Sequence, residues 1–174
     1  GGYQLRSEDF VNWEVVPAMN ADGTQMKFTA PSVGYRTDES GKTTFYLAWN
    51  SSHIYSSETP TGPWTDLGDF TYRGMSFSDN ALYNKDDNTY GPSHAAEPDG
   101  DAESVIIAAH NDVDLFVDHD TNRMYLCWGM GSKELSIAEL NPENPSELLS
   151  APVPVITHNP TVMWENFGQH HEDY

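Results

Sequence analysis

The chain is poor in cysteine, poor in cations and poor in long apolar runs. It holds a single cysteine, Cys127, so no intrachain disulfide can form and the redox compartment is left undecided. Cys127 sits in the apolar run MYLCWG, where a buried, inert thiol is the ordinary state. Only 8 of the 174 residues are Lys or Arg, against 27 Asp and Glu, giving a formal charge of -19. That balance excludes nucleic acid and anionic membrane surfaces as partners, because both repel an acidic chain. It also keeps the protein soluble. No stretch reaches the roughly 20 apolar residues that a membrane-spanning helix needs. No secretory leader is recognisable, and the opening GGYQLRSEDF reads as the middle of a domain, which leaves a targeting segment upstream of it an open expectation.

Helical periodicity is weak throughout. What is present instead is a succession of short runs rich in Val, Ile, Thr, Tyr, Phe and Trp, bounded by Gly, Pro, Asn and Asp. This is an all-β pattern. It places strands at 12–16, 32–36, 44–50, 53–56, 104–109, 115–117, 124–129, 135–139 and 152–156. The segments DESGK (38–42) and DHDTN (118–122) read as hairpin tips, since Asp, Asn and Gly tolerate turn conformations and bond to their own backbone. Between the two halves of the chain lies 66–111, whose middle, 78–104, is polar and rich in Asp, Asn, Gly and Pro and reads as a long surface loop. Its oxygen-rich side chains are of the kind that bind Ca²⁺, although no EF-hand spacing is present.

An internal repeat organises the rest. VGYRTDESGKTTFYLAWNSSHIYSSETPTGPW and DLFVDHDTNRMYLCWGMGSKELSIAELNPENPSEL share one order: apolar strand, acidic turn, Tyr-Leu strand with Trp, short connection, Ile-containing strand, Pro-bearing loop. Tyr46-Leu47 pairs with Tyr125-Leu126, Trp49 with Trp128, and Ile54 with Ile137. Each copy fits three strands of a four-stranded meander, the unit of a β-propeller.

Four segments in this order resemble the family 43 glycoside hydrolases: SEDFVNWEVV, FTAPSVGY, SSETPTGPWTDLG and NDVDLFVDHDTNRMYLCWG. Thr29 stands where that family's second-blade motif carries Trp, and Val113 where its third-blade motif carries Pro. The resemblance implies a partial five-bladed β-propeller, about blades 2–3 with flanking pieces of blades 1 and 4, with residues 1–174 forming one incomplete catalytic domain. It implies hydrolysis of arabinose-, xylose- or galactose-type glycosidic bonds in plant polysaccharide, with inversion, in a secreted or periplasmic setting. Such chemistry needs no cofactor. It needs a base carboxylate to activate water and a protonated carboxyl to donate to the leaving oxygen, roughly 6.5–9.5 Å apart. A third carboxylate keeps the acid protonated, because a neighbouring negative charge raises its pKa.

On this resemblance Asp112 matches the modulating Asp, with Asp114, two residues on and on the same strand face, as the competing assignment. The base Asp and acid Glu are not matched. Glu165 and Glu172 are the nearest glutamates to the expected acid, and neither has its Gly-small context, so the chain alone is expected to be inactive and the remainder of the ring to come from elsewhere. Asn111, Asn50, Phe28 and Trp128 are candidate substrate contacts, with His110 beside them. Trp49 and Trp164 are further aromatics able to stack on a sugar ring, against a standing alternative of core packing for each. No pair among the seven histidines, including His170 and His171, has metal-ligand spacing, so no metal site is assigned to them. A glycan-binding propeller without turnover is the other functional reading. A sialidase-like propeller is disfavoured by the absence of its S-x-D-x-G-x-T-W turns.

Overall fold

The computed structural model describes residues 2–49, 53–72, 74–76, 83–84, 89–90, 113–129, 134–150 and 152–157. Among them there is no helix, and the strands form antiparallel sheets. A hairpin of β1 (Tyr3–Arg6) and β2 (Glu14–Pro17) opens the chain. A four-stranded meander follows: β3 (Ser32–Thr37), β4 (Thr43–Ala48), β5 (His53–Ser57) and β6 (Thr65–Asp69). Short pairs come next, β7 (Thr71–Tyr72) with β8 (Met75–Ser76) and β9 (Tyr83–Asn84) with β10 (Thr89–Tyr90). A second meander closes the series: β11 (Asp114–Asp118), β12 (Arg123–Gly129), β13 (Glu134–Glu139) and β14 (Val153–Thr157).

The turns form where their side chains dictate. At the β3–β4 tip, Asp38 Oδ1 accepts the backbone N–H of Ser40 and of Lys42 at 2.9 Å and the Ser40 hydroxyl at 2.6 Å. At the β11–β12 tip, Asp118 Oδ1 accepts the Asp120 N–H at 3.0 Å and Oδ2 accepts the Thr121 hydroxyl at 2.6 Å. These bonds favour the ionised carboxylate, so both groups titrate below the usual range: Asp38 mainly through Ser40, Asp118 mainly through Thr121. Asp9 does the same work between β1 and β2, where it accepts the N–H of Val11 and Asn12.

Ahead of the segment read as a loop, the chain from residue 65 forms strands that the sequence did not mark. β6 completes the first meander, and Phe70 and Tyr72 just beyond it are buried. Thr71 exchanges backbone bonds with Ser146 and Leu148, which ties the segment after β6 to the connection between β13 and β14. The pattern TDLGD conceals this strand because it is polar and holds a glycine. It is recruited by pairing with β5 across a register shift at Ile54/Tyr55. β1 was likewise unmarked in the sequence. The strand expected at 104–109 lies outside the described residues.

The repeat holds residue by residue. In the first sheet one cross-strand row runs Ser32, Ala48, Ile54, Gly68; in the second the corresponding row is Asp114, Cys127, Ile137, Val153. Leu47 faces the N-terminal segment, where it packs with Ala18, Met26 and Trp64. Its counterpart Leu126 faces the first sheet, packed with Ala48, Ile54 and Leu115. The two sheets therefore point the same way and stack front to back. Their first strands, β3 and β11, meet most closely. Gly34 lets them: a Cβ there would stand 2.9 Å from Val117 Cγ2. The far end of the contact is polar, with Arg36 Nε donating to the Asn122 carbonyl at 2.9 Å and Asn122 Nδ2 donating to the Thr37 carbonyl at 2.9 Å.

Candidate functional site

Cross-strand pairing carries Ser32, Ala48, Asp114 and Cys127 to one end of the stack. β3 and β11 begin there, β4 and β12 finish there, and β5 begins there. The opposite end carries the two acidic turns. Ser32 and Asp114 hold equivalent places at the start of β3 and β11, and they meet: the Ser32 hydroxyl donates to Asp114 Oδ1 and accepts the Leu115 N–H at 3.0 Å. One serine thus bridges a carboxylate and the backbone of the adjacent sheet. Asp114 is exposed and lies opposite Cys127, whose thiol is pushed up by burial and, secondarily, by the Asp114 charge.

Beside them lies a row of rings. Phe28 is 6.2 Å from Trp49, and Trp49 stacks on Tyr55 with centroids 4.5 Å apart and planes 23° apart. Phe28 and Trp49 are half-buried, so each keeps part of its ring toward solvent. Trp128, the counterpart of Trp49, is 2% exposed and packed among the residues between the two sheets. Its ring is held in the core and offers no face to a sugar in this arrangement. The difference follows from position: Trp128 faces a full sheet, whereas Trp49 faces the shorter segment 18–28.

A second cluster was not foreseen. His53 Nδ1 lies 2.9 Å from Asp66 Oδ2 and 3.0 Å from Oδ1, and the Gly68 N–H donates to Oδ1 at 2.8 Å. Tyr55 also donates to Asp66. Burial first, then the Asp66 charge and this bond, push the phenol up to about 12. A cavity of about 310 Å³ adjoins this group, lined by Asn20, Asp22, Tyr55, Trp64 and Asp66 among others. With its oxygens engaged by a ring nitrogen, a phenol and a backbone N–H, Asp66 braces the β5–β6 edge. Recognising this in the sequence required knowing that Asp66 sits opposite Tyr55, and that pairing exists only because of the unmarked strand β6.

Asp112, Asn111, Asn50, His110, Trp164, Glu165, Glu172, His170 and His171 lie outside the described residues. Among the described residues, no group of three or more His, Cys, Asp or Glu is placed to hold a metal ion. No helix among them is long and apolar enough to cross a membrane. Compared with protein-family models and with curated proteins, the chain matches none.

Proposed function

We propose that the two stacked meanders are neighbouring blades of a five-bladed propeller, and that the protein serves glycoside hydrolysis of the family 43 type on arabinose-, xylose- or galactose-containing polysaccharide. The observation that carries this reading is the front-to-back stacking of equivalent rows, with the first strands of both sheets in contact at the end where Ser32 and Asp114 meet. In a ring of such sheets the first strands line the axis, and acidic residues at their beginnings converge on one opening. Inverting hydrolysis requires that convergence, because base and acid must flank a single sugar and leave room for water.

In this reading Asp112 is the modulating carboxylate. Asp114, already bonded to Ser32, orients the strand that carries it. Phe28, Asn50 and Asn111 flank the sugar. The base and acid belong to other blades, so these 174 residues by themselves turn over no substrate. The decisive experiment is Asp112→Asn in the complete enzyme, assayed on 4-nitrophenyl arabinosides, xylosides and galactosides. The expected result is a fall in kcat on the order of 10²-fold or more with an unchanged melting temperature. Turnover near the parent level would remove Asp112 from the site, and a large loss in Asp114→Asn alone would transfer the role to Asp114. The ring row Phe28–Trp49–Tyr55 favours one second reading, a propeller that holds glycans without cleaving them. Saturable binding of an oligosaccharide with no release of reducing ends in the complete protein would select it.

A further inference from the structure

β11 is the first strand of its sheet and pairs with β12 on one side only. The N–H groups on its other side take their acceptors from elsewhere. Leu115 is 6% exposed, and its N–H donates to the Ser32 hydroxyl oxygen at 3.0 Å. The same hydroxyl donates to Asp114 Oδ1. Ser32 thus fixes two consecutive residues of β11, one through the backbone and one through a carboxylate. A hydrogen bond to an ionised carboxylate is among the stronger ones.

The rest of the contact between β3 and β11 is held by other groups. Gly34 shares a face of β3 with Ser32 and takes up the close approach of Val117. Arg36 and Asn122 tie the far end. What Ser32 adds is therefore confined to the beginning of β11. The backbone leading to Ser32 is itself constrained. Ala30 has φ of 47°, a left-handed conformation that costs any residue with a Cβ, and Pro31 follows with its φ fixed by the ring. Strain of this sort persists only where the surrounding structure over-determines it, and it collects at functional sites.

Asp112 stands two residues before Asp114 in the chain. We infer that Ser32 is a positioning residue for turnover: its hydroxyl fixes the start of β11, the strand that the modulating carboxylate Asp112 leads into. The inference rests on the glycosidase reading above, with Ser32 acting through β11 and never on the sugar.

The experiment uses the complete enzyme and the variants Ser32→Ala and Ser32→Thr, with Asp112→Asn alongside. Turnover is measured on the 4-nitrophenyl glycoside that the parent cleaves best, well below the melting temperature. The Leu115 amide is followed by hydrogen–deuterium exchange. Ser32→Ala is expected to lower kcat on the order of 10-fold with KM within about twofold of the parent's, because a misplaced group loses transition-state stabilisation and leaves ground-state binding alone. The Leu115 amide should exchange at least about tenfold faster in that variant. Ser32→Thr keeps the hydroxyl and should return both readings toward the parent's. Faster exchange at Leu115 with kcat unchanged would reduce Ser32 to a strand tie and overturn the inference. So would an unchanged exchange rate, or a loss of kcat that Ser32→Thr does not recover. An inactive Asp112→Asn beside a parent-like Ser32→Ala refutes the inference and leaves the glycosidase reading standing. Parent-like turnover in Asp112→Asn refutes the role given to Asp112 and takes the inference with it.

Discussion

Replacing Gly34 by Ala sets two effects of opposite sign against each other. In a strand interior, glycine costs roughly 0.5–1 kcal/mol relative to alanine through the freedom it gives the unfolded chain. Propensity alone therefore expects Gly34→Ala to stabilise the protein. The packing argues otherwise. A Cβ at residue 34 would lie 2.9 Å from Val117 Cγ2, 3.7 Å from the Leu115 Cβ and 3.8 Å from the Leu115 carbonyl oxygen. Carbon atoms rest at about 3.5–4.0 Å, so β3 and β11 must part or Val117 must turn. Val117 is β-branched and stiff about χ1, and forcing it off its rotamer costs about 0.5–1.5 kcal/mol. Overpacking of a tight contact costs about 1–3 kcal/mol in all. The expected net effect is a loss of about 0.5–2 kcal/mol, read as a lower urea midpoint at constant m by tryptophan fluorescence. The pair Gly34→Ala/Val117→Ala should recover part of that loss, a coupling confined to residues in contact. An unchanged or raised midpoint in Gly34→Ala would refute the claim that the first strands are locked in close contact.

Three further outcomes follow from the same packing. Trp128→Ala should lower stability by about 3–5 kcal/mol in urea titrations, because its ring is fully enclosed; a loss under about 0.5 kcal/mol would return it to the ligand-facing residues. Gly62→Ala should cost about 1–3 kcal/mol in the same assay, since residue 62 has φ of 90° and a Cβ there would lie 2.8 Å from Trp64 Cδ1. Asp38 and Asp118 titrate lower folded than unfolded, so the unfolded state binds more protons in the acid range, and their stabilisation is present above about pH 4 and lost as pH falls through the folded values. Thermal melts of Asp38→Asn/Asp118→Asn should therefore show a lower melting temperature at pH 7 and a shallower acid limb than the parent; parallel curves would show that these turns contribute nothing.

The parts of the fold that were legible in the sequence are those whose cause is local. Asp38 and Asp118 announce their turns because each carboxylate bonds to the backbone two to four residues on. The strands around Tyr46-Leu47 and Tyr125-Leu126 announce themselves through residues that suit a pleated, buried surface. β6 and β1 were silent because their identity comes from a partner. TDLGD becomes a strand by pairing with His53–Ser57, and Tyr3–Arg6 by pairing with Glu14–Pro17, and no composition encodes either pairing. The same reason hid the His53–Tyr55–Asp66 cluster. Phe28 and Trp49 were weighed both as sugar-stacking rings and as core, and the fold leaves each half-buried. Trp128 was weighed both as a substrate contact and as core, and its depth is fixed by a whole neighbouring sheet that one strand's sequence does not reveal.

The repeat constrains more than either copy does alone. Two homologous meanders lying side by side have no required relation, and two sheets packed face to face would bury the same residues from both. Here equivalent residues are buried by different neighbours: Leu47 by Ala18, Met26 and Trp64, Leu126 by the sheet before it. Such head-to-tail contact is heterologous, and each added unit recreates an open face instead of closing one. It ends only when the rotation between units completes a ring or when something else caps the last face. Ser32 makes a short polar bridge from the start of one first strand to the start of the next. Asp114 occupies the equivalent place in the second meander, exposed at the start of β11 and bonded to Ser32 of the first.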